Sequence, residues 1–515
     1  MAPEKRNEWD LPHLRDAYQL WPVESQEAWS VKFYPHTAPG VDPVFAVVGS
    51  KYVFVCRPSG GPNDTIEVIK VITDEEEAPE RLSNGRTVPS KTDAYHCAWT
   101  KSPGGRPLLC VGGTSAKIKI YDIVTGELVR ELTGHGADIN AVETCPTNSQ
   151  ILASASDDYT VRVWSLDPAH KHQPCAAILA GGGHKDKILT LAWHESGRYL
   201  LSAGVDHTIN LWTLPELPDD NTGTDHPTRI YYPNFSSSEI HGDVVDCITF
   251  YHDLIISKAA NEPIVVWAIL GFSSSHPIPP KASEPTTHDV QKFTRSSFTP
   301  SNSTPIPATA DAFSPTLPTH TQFTRLFQLQ NPDGYIMFTR FSLFIPAEEQ
   351  GHAVIAMCTH NSKVMFWSLA RIEEYAAYTA SLSLDAQTPR PSFLVPHRSR
   401  PRQTKSKSKS NLNLLFRGTA ETREGSVTGS STMSVAGETE TSEKDKENEK
   451  DEQKSKELWD EKYHVGDYLF ELKAHREEVV RGLEFVGRQC AWSTGGEWCV
   501  VVGSASVVAV FQRWN

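Results

Sequence analysis

The sequence predicts an all-β fold, a seven-bladed β-propeller, on three observations. A short hairpin pattern recurs seven times along the 515 residues. Each copy alternates apolar and polar positions with a period of two, which marks half-buried strands. Several copies are preceded by a Gly-His or His element, and recurrence of a whole supersecondary unit marks a radial array.

The clearest copies read Ser154-Ala-Ser-Asp-Asp-Tyr-Thr-Val-Arg-Val-Trp164 and Ser202-Ala-Gly-Val-Asp-His-Thr-Ile-Asn-Leu-Trp212. Looser copies span 111–122, 257–267 and 357–367, and the most degraded span 48–56 and 501–511. Gly134-His135, Gly183-His184, His241-Gly242 and His475 supply the preceding element. In WD40 repeats this His, a Ser or Thr on strand b, the turn Asp and the Trp on strand c form a buried, mutually hydrogen-bonded set. The expected sets are His135/Asp158/Trp164 and His184/Asp206/Trp212, with Asn261 in place of Asp between His241 and Trp267. Polar side chains tolerate burial when each is paired. These His and Asp residues imitate a catalytic dyad, but they repeat with the blade, so the structural reading is preferred. After the last strand the chain stops at Asn515, and a segment near 16–27 is expected to supply the missing outer strand and close the ring.

Composition narrows the function classes. The net charge of −14 offers no basic footprint for sequence-specific nucleic-acid binding. No apolar run is long enough for a membrane span or a signal peptide. Nine scattered cysteines, without a CxxC pair or a Cys/His cluster of metal spacing, indicate buried thiols in a reducing compartment and no metal site. No catalytic residues and no cofactor are expected.

Two insertions break the spacing, after strand c of the fifth and sixth blades. Residues 273–320 are rich in Ser, Thr and Pro. Residues 371–457 begin as a short helical piece, turn basic over 397–409 and acidic over 443–452. Both are too poor in apolar residues to form a packed core and read as disordered. The basic tract reads either as a solvated loop or as a nuclear address or nucleic-acid contact. The expected organisation is 1–27 as an N-terminal segment partly completing blade seven and 28–272 as blades one to five. The first insertion (273–320) then precedes blade six at 321–370, and the second (371–457) precedes blade seven at 458–515.

Aligning the innermost strands on their last large residue gives 28–33, 94–99, 139–144, 188–193, 245–250, 336–341 and 479–485. Four positions earlier stand Trp29, Tyr95, Asn140, Leu189, Asp246, Met337 and Arg481, with Phe338 adjacent. These face the mouth of the central channel. Converging aromatic faces suit a trimethylated ammonium. Register alone leaves two readings for them, a binding cage or core packing.

The runs Ala94-Tyr-His-Cys-Ala-Trp-Thr100, Gly134-His-Gly-Ala-Asp-Ile-Asn140, Gly183-His-Lys-Asp-Lys-Ile-Leu189, Tyr232-Pro-Asn-Phe-Ser236, Asp243-Val-Val-Asp-Cys247 and Arg340-Phe-Ser342 resemble the embryonic ectoderm development / extra sex combs family. The insertions resemble filamentous-fungal members in length. The resemblance spans nearly all seven blades and implies a nuclear, non-catalytic subunit of Polycomb repressive complex 2, a histone H3 lysine methyltransferase acting in gene silencing. The implied partners are the enhancer-of-zeste catalytic subunit, the suppressor-of-zeste subunit and the trimethylated histone H3 tail. Family cage positions carry over onto Trp29, Tyr95, Phe338 and Met337, the last standing where the family usually has Trp. Asn140, Asp246, Arg340 and Arg481 are expected at the peptide-binding rim.

Two other classes compete. A generic WD40 scaffold, of ubiquitin-ligase receptor or histone-chaperone type, shares the repeat, but the repeats end Trp164-Ser-Leu-Asp, Trp212-Thr-Leu-Pro and Trp367-Ser-Leu-Ala, without the WDxR-like adaptor ending. A propeller enzyme needs a nucleophile with its base, or clustered acids, at the channel, and the rim offers neither.

Overall fold

The computed structural model describes residues 9–20, 26–38, 40–59, 65–74, 80–81, 87–88, 93–285, 292–298, 322–332, 336–346, 352–382, 389–394 and 453–514. Both charged tracts of the second insertion, 397–409 and 443–452, lie outside the described residues, as does most of the first insertion.

Seven sheets of four or five strands form the blades, antiparallel except where Thr228–Ile230 and Glu471–Leu472 add as parallel fifth strands. Blade one comprises Ser30–Phe33, Phe45–Gly49, Tyr52–Pro58 and Ile66–Thr73; blade two comprises Ala94–Lys101, Pro107–Gly113, Lys117–Asp122 and Leu128–Thr133. The strand that lines the channel is the inner strand, and the fourth is the outer strand. The inner strand of blade one touches those of blades two and seven, which closes the ring. Apolar residues of adjacent blades fill the wedge between them, as where Val47 and Phe45 of blade one meet Val500 and Val510 of blade seven.

Blades three to five carry the buried polar sets. His135 Nδ1 lies 2.8 Å from Asp158, its Nε2 2.7 Å from the Ser154 hydroxyl, and the Trp164 indole donates to the same hydroxyl at 2.8 Å. His184, Asp206, Ser202 and Trp212 repeat the arrangement. In blade five the carboxylate facing His241 belongs to Glu262, at 2.6 Å, while Ser257 and Trp267 complete the set. The expected Asn261 instead turns away in a left-handed conformation and donates to Asp243 at 3.0 Å. The extra methylene of Glu262 lets the next residue along the turn reach the histidine.

These sets make the fold acid-sensitive. Burial holds His135 and His241 below the ordinary histidine value. Burial, the largest single influence, opposes ionisation of Asp158, Asp206 and Glu262, but the histidine hydrogen bond, the histidine charge and the backbone N–H bonds together outweigh it and leave all three below the ordinary carboxylate value. Every one of these groups therefore binds protons more readily in the unfolded chain. Stability falls as pH drops through about 6.5, where unfolded histidines charge, and again near 4, where unfolded carboxylates are neutralised. Melting temperatures measured from pH 7.5 down to 5.5 should decline. A His135→Gln/His241→Gln variant should decline less steeply over the same interval, and an equal slope would refute the assignment.

The blade boundaries differ from the sequence expectation after residue 270. Phe323–Leu329 is the outer strand of blade five, not part of blade six. Blade six has Ser342–Phe344 as its inner strand, directly after the expected 336–341, followed by Val354–Cys358, Lys363–Ser368 and the outer strand Arg476–Val479. Blade seven begins only at Gly487–Trp492, continues through Trp498–Gly503 and Val507–Gln512, and is completed by His13–Gln19 from the N-terminal segment. Fifth strands cover the outer edges of three blades: Thr228–Ile230 on blade three, Thr294–Ser296 on blade four and Glu471–Leu472 on blade five. The first insertion is thus in part a strand, because edge pairing uses backbone groups and does not need an apolar face. Phe298 packs against the wedge beside Phe272. The second insertion opens as a helix, Leu369–Leu382, which buries Leu369, Ile372 and Tyr375. The described residues between 377 and 461 belong to a separate small unit, in which Arg390 stacks over the Trp459 ring at 4.8 Å.

Candidate functional site

The rim side chains are aimed by a repeated backbone device. In five inner strands the pairing register skips one residue, and the skipped residues are Tyr95, Asn140, Leu189, Asp246 and Arg488. A bulge leaves its extra residue outside the ladder and redirects the side chain, here toward the channel end of each blade. The bulge also presses the backbone against the end of the neighbouring strand. Opposite Tyr95, a Cβ on Gly113 would sit 1.9 Å from the Asp93 carbonyl oxygen, so only glycine fits there.

Three aromatic walls stand at the channel mouth, of which Tyr95 is on a bulge. The Trp29 ring stands 5.9 Å from Tyr95 at 80° and 6.0 Å from Phe338 at 80°. Together with Met337 they line a cavity of about 350 Å³, which Asn140, Leu189 and Arg340 also border. Asp138 and Asp157 lie along the Tyr95 side, Asp157 paired with Lys187 at 2.5 Å and receiving the Asn140 amide at 2.8 Å. Burial, reinforced by Asp138, Asp93 and Asp157, pushes the Tyr95 phenol up to about 12, so the ring stays neutral across the physiological range. Met337 is 43% exposed and supplies a polarisable but non-aromatic edge.

Two of the walls, Trp29 and Phe338, are braced from behind. Arg488 stacks on Trp29 at 4.5 Å and is held by Glu27 at 2.9 Å and by the Met337 carbonyl at 3.1 Å. Phe338 sits in the entry to blade six with φ of 62°, a left-handed conformation that L residues rarely adopt. Its N–H donates to Asp246 at 2.6 Å. Arg340, buried, lies 5.8 Å from the Phe338 ring and donates to the carbonyls of Asn140 and Leu189, both at 3.1 Å.

Of the expected site residues, the structure brings Trp29, Tyr95, Phe338 and Met337 together and places Asn140 and Arg340 against the same cavity. Asp246 is not at the rim surface: it is fully buried against Lys258. Arg481 is exposed, in the connection between blades six and seven, and does not line this cavity. Its expected position belongs to Arg488, which sequence reasoning missed. The signal was present, since Gly487-Arg-Gln-Cys-Ala-Trp492 parallels Ala94-Tyr-His-Cys-Ala-Trp99. Phe485, buried in the blade six–seven wedge, mimicked the large residue that ends an inner strand.

The cavity holds aromatic faces, acidic groups at one side and no nucleophile beside a base. Among the described residues no cluster of His, Cys, Asp or Glu could hold a metal ion. The arrangement suits retention of a diffuse cation and not turnover.

The family description "WD domain, G-beta repeat" matches residues 126–165 and 175–213, which fall in blades two to four. Across 99% of its length the chain is 36% identical to the Polycomb protein EED of Chaetomium thermophilum, covering 97% of that protein. It is 31% identical to the Polycomb protein esc of Drosophila melanogaster over 34% of this chain and 43% of that one. A chain in the crystal structure of the Chaetomium thermophilum Polycomb repressive complex 2 superposes with a TM-score of 0.77 at 34% identity, over 99% of both chains. A chain in the structure of ctPRC2 in complex with H3K27me3 gives 0.74 at 34% identity, again over 99% of each.

Proposed function

The chain belongs to the Polycomb EED family, a family of non-catalytic propellers, and from that premise we propose that it is the scaffold and trimethyl-lysine reader of a nuclear Polycomb repressive complex 2. The observation that carries the reading is the right-angled cage of Trp29, Tyr95 and Phe338 at the channel mouth. The relatives support the assignment of a complex, and one related chain comes from a structure holding H3K27me3.

A trimethylammonium loses little hydration on entry, because its charge is diffuse and its methyls are apolar, and it gains contact with each ring face. An unmodified ammonium is strongly hydrated and would surrender hydrogen bonds that aromatic walls cannot return, so desolvation supplies much of the selectivity. Asp138 and Asp157 add a favourable field for a basic histone tail. Occupancy of the cage stimulates the enhancer-of-zeste subunit when the bound peptide favours that subunit's active state. A helix of that subunit is expected on the opposite face of the propeller, away from the cage, and the suppressor-of-zeste subunit is a further expected partner.

Titration calorimetry with histone H3 peptides tests this. The trimethylated form should bind at least tenfold more tightly than the unmodified one, and Tyr95→Ala should cost about 1–3 kcal/mol of that affinity. In the assembled complex the same variant should lose stimulation by trimethylated peptide while retaining basal methylation. Equal affinity for the two peptides, or a Tyr95→Ala variant that binds like wild type, overturns the reading.

A further inference from the structure

We propose that Asp246, with Lys258 as its buried counter-ion, is the positioning residue that holds the Phe338 wall of the cage. This rests on the reader function proposed above but concerns residues of blade five that contribute no surface to the cavity.

Asp246 and Lys258 have side chains with no exposed surface, and the Lys258 Nζ lies 2.8 Å from one carboxylate oxygen and 3.1 Å from the other. The second oxygen also accepts the Phe338 N–H at 2.6 Å, across 92 residues of sequence and from one blade to the next. That bond falls on the residue whose backbone is left-handed. A short bond to a charged acceptor is among the stronger hydrogen bonds available. It offsets the cost of holding a non-glycine residue in that conformation, and the conformation turns the Phe338 ring edge-on to Trp29. Neighbouring bonds fix the flanks of the same loop: Met337 through its carbonyl to Arg488 at 3.1 Å, and Arg340 through its N–H to the Arg488 carbonyl at 2.8 Å. Asp246 alone holds the central residue among these three.

The pairing has a physical logic. A buried ion pair contributes little to stability over an apolar pair of the same size, since both charges lose water. What a carboxylate at this place adds is an acceptor fixed by its own counter-ion, and therefore a defined position for the N–H it receives. The bulge at Asp246 turns its side chain toward blade six, away from the ladder it interrupts. Lys258 follows Ser257, which the His241–Trp267 set already holds rigid.

Three double variants separate the acceptor from the charge. Asp246→Asn/Lys258→Met removes both charges and keeps an oxygen to accept the Phe338 N–H. Asp246→Leu/Lys258→Met removes both charges and the acceptor, and Asp246→Val/Lys258→Met repeats it with a shorter side chain should leucine prevent folding. Two readouts apply to the full chain: affinity for trimethylated histone peptide, and amide exchange of Phe338 without peptide. We expect the Asn/Met variant to stay within about threefold of wild type in affinity with slow exchange. The apolar variants should lose about tenfold or more, with Phe338 exchange accelerated. Apolar variants with wild-type affinity and slow exchange overturn the proposal, as does an Asn/Met variant as impaired as they are. Absence of trimethyl selectivity in the wild-type protein would sink the reader function alone, and Phe338 exchange would still decide the role of Asp246.

Discussion

A chain lacking residues 1–27 should melt far below the intact protein or fail to express in soluble form. His13–Gln19 is the outer strand of blade seven and pairs with Val507–Gln512 along its whole length. Leu11 is buried in the wedge between blades six and seven, where Leu14 and Ala17 also pack, and Leu20 packs in the next wedge. The Tyr18 hydroxyl receives the Thr65 N–H of blade one at 2.9 Å, so the strand also spans the joint between first and last blades. Behind it, Arg513 donates to the Asp10 carbonyl at 2.7 Å and Arg371 donates to that of Trp9. Burying one leucine is worth about 1.5–3 kcal/mol and each net backbone hydrogen bond about 0.5–1.5 kcal/mol. The sum over this strand rivals the whole net stability of an ordinary domain. Calorimetric scans of the two proteins at one scan rate check it, and coincident melting would refute closure by this strand.

The second large effect is the loss of one partner of the buried pair. Lys258→Ala leaves the Asp246 carboxylate without its counter-ion, and Asp246→Ala strands the ammonium, in a place with no exposed surface. Each should cost about 3–5 kcal/mol, because an uncompensated buried charge is penalised far more than the pair is rewarded. The double variant Asp246→Ala/Lys258→Ala removes both charges and should cost well under the sum of the two singles, so the single costs must not add. Denaturant unfolding of the four proteins measures the coupling. A single variant that costs under 1 kcal/mol, or costs that simply add, would show that water reaches the pair.

The repeat was legible because each blade states its own local rule. Ser154, Trp164 and His135 meet by geometry that any such hairpin shares, and the sets of His184 and His241 follow with them. The single slip, Asn261 for Glu262, arose because a turn residue's side-chain length decides which of two neighbours reaches the histidine. Strand register put Trp29, Tyr95 and Met337 at the channel mouth with Phe338 adjacent, and only the family resemblance made a cage of them.

By itself, the sequence determined the number of blades, the polar sets inside them, the aromatic character of the rim and the family. All of these are properties of local pattern, and a period of two together with a recurring polar set leaves little freedom. Tertiary structure alone decided which strand belongs to which blade after residue 270, that Arg488 and not Arg481 braces Trp29, and that Asp246 is buried. Alternation identifies a strand without naming its partner, since the ladder bonds are made by backbone groups that every residue carries alike. A carboxylate's exposure likewise depends on whether a cation arrives across the sheet, and Lys258 reaches Asp246 only once the second strand of the blade has paired with the first.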